Sequence, residues 1–249
     1  MKFNARYANA DWHQNLKLQR NYFNVIGLGG IGSHLAFKLS RIGVRHLNLY
    51  DDDIVESHNV GGQLFSYQQV EEYKVNAIKD YIDMMKGEGQ TLFIYDFNKR
   101  VEKLQDLHYY YNAINLVCVD NMDSRIKLAN SAKECWNKGY EFMYFESRLG
   151  PTGYEIYYVT KENVDFYIKN CLFTDEEANA VTCSYQQTTH VASALASRIV
   201  NILTNQLNNE ILNQQNGTGD LKYFPVPFYI RENCDLLTIK VVKDVNTWE

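Results

Sequence analysis

At 249 residues and 45% hydrophobic content, the chain has the length and apolar share of a soluble, enzyme-sized α/β core. Its 25 Lys and Arg against 30 Asp and Glu give a formal charge of -5 with no basic stripe, which argues against a nucleic-acid partner. No run of about 18 apolar residues occurs and "MKFNARYANADWHQNLKL" has no leader pattern, so no membrane span is expected and the cytoplasm is the expected compartment.

In chain order, "YFNVIG" (22–27) reads as a short apolar strand ended by glycine. "IGSHLAFKLSRIGV" places Ile31, Leu35, Ala36 and Leu39 at helical spacing, and "HLNLY" (46–50) alternates into a second strand. This βαβ unit implies parallel pairing. "YQQVEEYKVNAIKDYIDMM" (67–85) follows as a helix, "TLFIYDF" and "NLVCVD" as strands, "DSRIKLANSAKECWNK" as a helix and "EFMYFES" as a strand. Residues 1–147 therefore read as the nucleotide-binding half of a doubly wound, Rossmann-like, mainly parallel sheet.

From 148 to 249 the pattern changes. "GYEIYYVT" is a strand, residues 161–186 read as irregular, and "TTHVASALASRIVNILTNQL" is a long helix. The Asn/Gln-rich stretch from Asn201 to Gly219 reads as a fraying helix end and loop. "YFPVPFYI" and "DLLTIKVV" are too close in sequence for a crossover and are expected to be antiparallel, the prolines putting the first at an edge or bulge. The expectation is one domain, 1–249.

Gly27, Gly29 and Gly32 fit G-x-G-x-x-G between a strand and a helix, with Asp51 ending the next strand where it can bind a ribose. Glycines let the backbone approach phosphate, and the helix N-terminus offers free N–H groups. Alone, the motif says only nucleotide. Asp53, Asn59, Lys74, Asp120 and Asn121 then converge by order and spacing on the same crevice, Lys74 toward phosphate oxygens and Asp120 toward a magnesium ion. That set suits a triphosphate better than hydride transfer. Lys74 as a solvated helix residue and Asp120 as a helix cap stay open as simpler readings.

"GLGGIGS", "DDDIVESHN" with Gln63, Lys74 and "VDNMDSR" together resemble the ThiF/MoeB/HesA superfamily of ubiquitin-activating-enzyme-like adenylyltransferases. The resemblance runs from about residue 20 to 205, and "YIKNCLFTDEEANAVTCSYQ" is similar to that family's crossover segment. It implies ATP and magnesium, a ubiquitin-like or sulfur-carrier protein or peptide whose C-terminal carboxylate is adenylated, and a homodimer. It puts Gly27, Gly29, Gly30, Gly32 and Ser33 around the phosphates, Asp51 on the ribose, Asp53, Asn59, Gln63 and Lys74 along the triphosphate, and Asp120 at the metal and the α-phosphate.

Three departures accompany it. "NVGGQ" puts Gly62 where the family has an arginine, leaving Arg125, or Arg6 from a dimer partner, to supply the charge. The five cysteines form no C-x-x-C pair, so no zinc site is expected. No separate catalytic cysteine domain is expected within the remaining residues. Cys183 in "VTCSY" is the candidate acyl acceptor, against the plainer reading of a buried small hydrophobe. An NAD-dependent oxidoreductase and a non-catalytic nucleotide or carrier binder are the competing functions.

Overall fold

The computed structural model describes residues 21–150, 152–174, 189–219 and 221–248. In chain order it has β1 (Tyr22–Ile26), α1 (Gly30–Ile42), β2 (His46–Asp51), α2 (Lys74–Met84), β3 (Phe93–Asn98), β4 (Ala113–Val117) and α3 (Met122–Asn137). Then come β5 (Met143–Leu149), β6 (Gly153–Val159), α4 (Val164–Cys171), α5 (Thr189–Asn216), β7 (Tyr229–Asn233) and β8 (Thr238–Val242). All eight strands form one sheet, ordered β3-β2-β1-β4-β5-β6-β7-β8. The first five are parallel and the last three antiparallel, as the sequence pattern predicts.

Both faces of the parallel part are covered, so β1 and β4 are buried at consecutive positions instead of alternate ones, and apart from one asparagine each they are apolar. One core joins Val25 and Leu49 to α1, α2 and α5 through Leu35, Ile78 and Leu195. The other joins Ile26 and Tyr50 to α3 and α4 through Leu128 and Tyr167. Between the central strands lies a polar tie. Asn24 is fully buried in register with Asn48 and Asn115, accepting from Asn48 Nδ2 at 2.7 Å and donating to Asn115 Oδ1 at 2.7 Å and the Tyr109 carbonyl at 2.6 Å. It pins the tyrosine-rich loop after β3 to the sheet.

Several boundaries differ from the sequence expectation. The helix expected from Tyr67 starts at Lys74, because residues 54–55 pair with 71–73: Val55 donates to the Glu72 carbonyl and Glu71 to that of Val55, both at 2.8 Å. Those backbone groups are lost to a helix. Within the stretch expected to be irregular, α4 forms over Val164–Cys171, burying Val164, Tyr167 and Cys171 at helical spacing. The Asn-rich end of α5 does not fray. Asn205, Asn209 and Asn213, one turn apart, donate to the carbonyls of Pro225, Phe224 and Leu221, and so hold the returning chain. β7 begins only at Tyr229, past Pro225 and Pro227, and lies inside the sheet between β6 and β8.

Candidate functional site

The strand order reverses between β1 and β4, and in a doubly wound sheet the crevice opens at that point, above the strand C-termini. Gly27 leaves β1 there with φ of 88°, donating to the Tyr50 carbonyl at 2.8 Å. A Cβ on it would stand 2.9 Å from the Cys118 carbonyl oxygen. A Cβ on Gly32 would stand 1.8 Å from the Gly27 oxygen, so this glycine lets α1 lie against the loop. Among the described residues, a Cβ on Gly29 would meet nothing within 4 Å, and no side chain caps the first turn of α1. The loop thus presents open backbone and a free helix N-terminus to the crevice, the arrangement that receives phosphate.

Asp51 ends β2, and its Oδ2 accepts the Leu28 N–H at 2.6 Å while Oδ1 accepts that of Asp53 at 2.9 Å. Burial pushes its carboxyl up, opposed by the Leu28 N–H and by Lys74. Lys74 opens α2 as a buried side chain, its Nζ 2.7 Å from Asp53 Oδ2, which is not a solvated helix lysine. Asp120 follows β4 and accepts from its neighbour Asn121 at 3.1 Å. It is not the cap of α3. That role belongs to Asn121, whose Oδ1 accepts the Ser124 N–H at 2.8 Å.

These groups line one open cleft: Gly27, Gly29, Asp51, Asp53, Lys74, Asp120 and Asn121 from the sequence reading, with Tyr50, Asp52, Lys99, Arg100, Val101 and Cys118 added by the fold. Lys99 and Arg100 were not singled out from sequence. Their signal was position, just past a parallel strand's C-terminal end. Burial pushes the Cys118 thiol up to about 12, which removes it as a nucleophile.

Other expected residues stand behind the cleft. Gly30 and Gly32 are buried within α1, and the fully buried Ser33 hydroxyl accepts the Leu64 N–H at 3.1 Å. Asn59 is buried and accepts the Glu56 N–H at 2.8 Å, while the Gln63 Oε1 is buried without a partner. Arg125 is not free to replace the missing arginine. Its Nε donates to Glu146 Oε1 at 2.8 Å and its Nη2 to the Val119 carbonyl at 2.5 Å. Fully buried Glu146 also accepts from Arg148 Nε at 3.0 Å and Tyr167 at 2.8 Å. Burial works against its charge, but Arg148 and Arg125 prevail and hold the carboxyl below its usual range.

Arg6 and Cys183 lie outside the described residues. Among the described residues the acids close enough to share an ion are Asp51, Asp52 and Asp53, with ligand atoms within 4.8 Å of one another, and Asp120 is not part of that group. No described helix is long and apolar enough to cross a membrane.

The family model for the ThiF family matches residues 4–235. Curated relatives include "Ubiquitin-like modifier-activating enzyme 5" of Culex quinquefasciatus, 28% identical over 123 residues, covering 44% of this chain and 30% of that protein. The Caenorhabditis elegans protein of the same name is 28% identical over 127 residues, with 45% and 30% covered. The match therefore spans under a third of those relatives. Among solved structures, E. coli MccB with ATP superposes with a TM-score of 0.66 at 20% identity, covering 97% of this chain and 68% of that one. PaaA gives 0.63 at 17%, covering 96% and 68%. At these identities the structures support the fold.

Proposed function

The chain belongs to the ThiF family, and from that membership and the geometry of its cleft we propose that it is an adenylyltransferase, using ATP and magnesium to activate the C-terminal carboxylate of a ubiquitin-like or sulfur-carrier protein or a peptide. The observation that carries the reading is the convergence of the open Gly27–Gly29 loop, Asp51, Lys74 and Asp120 on one cleft. Curated relatives named as ubiquitin-like modifier-activating enzymes support the acceptor class, and a neighbour solved with ATP supports the nucleotide.

On this reading residues 1–249 act as one unit, a homodimer in the cytoplasm. The backbone at Gly27 and Gly29 and the N-terminus of α1 receive the phosphates, and the Asp51 oxygens keep lone pairs for ribose hydroxyls. Lys74 lies toward the triphosphate, with Asp53 as its resting partner. A magnesium ion held by Asp120 would offset phosphate charge. The acceptor carboxylate attacks the α-phosphorus, and the bond to the bridging oxygen breaks to release pyrophosphate. The nucleophile is already ionised and needs no base, which fits a cleft with no histidine among its described lining residues.

The test is product analysis by mass spectrometry after incubation with MgATP and candidate carriers. An AMP adduct forms on a carrier with a free C-terminal carboxylate, not on its carboxamide, and Asp120→Ala removes it. ATP binding with no adduct from any carrier would instead favour a nucleotide-binding scaffold, the reading that Gly62 supports.

A further inference from the structure

We infer that Lys99 and Arg100, just beyond β3, supply the positive charge for the nucleotide's phosphates that Gly62 does not carry; this rests on the proposed ATP site. Among the described residues, the cleft lining brings four carboxylates, Asp51, Asp52, Asp53 and Asp120, against three cations, Lys74, Lys99 and Arg100. Without the β3 pair, Lys74 alone would face four acids and a polyanionic ligand would be repelled. Arg125 cannot correct this, because its guanidinium is engaged by Glu146 and the Val119 carbonyl.

The β3 cations differ from Lys74 in how they are held. Lys74 Nζ sits 2.7 Å from Asp53 with its side chain 9% exposed, whereas Arg100 Nε is 3.5 Å from Asp52 Oδ2 and 61% exposed. A long, solvated pair is worth little and exchanges its partner at low cost. Lys99 holds its Nζ over Tyr50 and Phe97, 5.7 Å from each ring centroid, and donates to the Asp106 carbonyl. An ammonium has three donors, so others remain for an anion. A charge that lines the cleft acts on a bound polyanion over a Debye length, about 10 Å at 0.1 M salt, with no need for a fixed contact.

The test is equilibrium binding of MgATP, AMP and adenosine to the full chain at low salt and at about 0.5 M salt. For Lys99→Ala/Arg100→Ala, the ATP Kd rises about tenfold at low salt, AMP weakens less, adenosine stays within about twofold, and high salt shrinks the gap. Arg100→Lys recovers most of the affinity that Arg100→Ala loses. Unchanged ATP affinity, or equal loss for adenosine, overturns the inference. A wild-type chain that binds no ATP brings down the functional reading itself, a result distinct from intact wild-type binding with indifferent variants.

Discussion

Arg125 reads from the sequence as a cation available to the phosphates, and the fold gives it another task. It holds the Val119 carbonyl, one residue before Asp120, while Glu146 neutralises it. Arg125 is thus a positioning residue for the Asp120 turn, and Glu146 the group that keeps it in place. The folded Glu146 carboxyl lies below its ordinary value of 4.5, so its charge stabilises the fold above that pH, and the contribution is lost as pH falls through the folded value. Glu146→Gln leaves Arg125 and Arg148 without their counter-charge. Chemical denaturation at pH 7 should show about 3 kcal/mol lost, with the gap to wild type closing below the ordinary carboxyl range. An equal loss at neutral and at acid pH would contradict this account.

At the scale of elements, the glycine loop and α1 act as one piece, since Gly32 touches the backbone of Gly27. Gly32→Ala should push the loop off its seat, lowering stability by about 2 kcal/mol and weakening ATP binding, whereas Gly29→Ala, at the N-cap of α1, should cost about 1 kcal/mol or less and lose chiefly nucleotide affinity. Thermal melts paired with ATP titration separate the two. The parallel half was legible because buried strands and amphipathic helices announce themselves by period, and the loop because glycine is required where Gly27 turns at φ of 88°. What escaped depends on distant partners. Asn205, Asn209 and Asn213 look like breakers until residues 221–225 supply their hydrogen bonds, and residues 71–73 look helical until residues 54–55 pair with them. α4 is the exception, carried locally by the helical spacing of Val164, Tyr167 and Cys171. Lys99 and Arg100 carry no motif, so only the sheet order brings them beside Asp51 and Lys74.

Across the whole molecule, two cores clamp one sheet from opposite faces, and the cleft lies at its rim where β1 and β4 part. Residues from Ile26 to Ser124 meet there, although Lys74 and Asp120 are separated by the length of α2, β3, a loop and β4. A rigid sheet with backbone fixed at both cores suits a reaction that depends on positioning and charge more than on proton transfer. The most direct measurement is exchange of labelled pyrophosphate into ATP by the full chain with magnesium and a carrier bearing a free C-terminal carboxylate. Carrier-dependent exchange, lost on removing magnesium and reduced at least about a hundredfold in Asp120→Ala, is the predicted result. Absence of exchange with every carrier, or exchange that Asp120→Ala leaves intact, would contradict it.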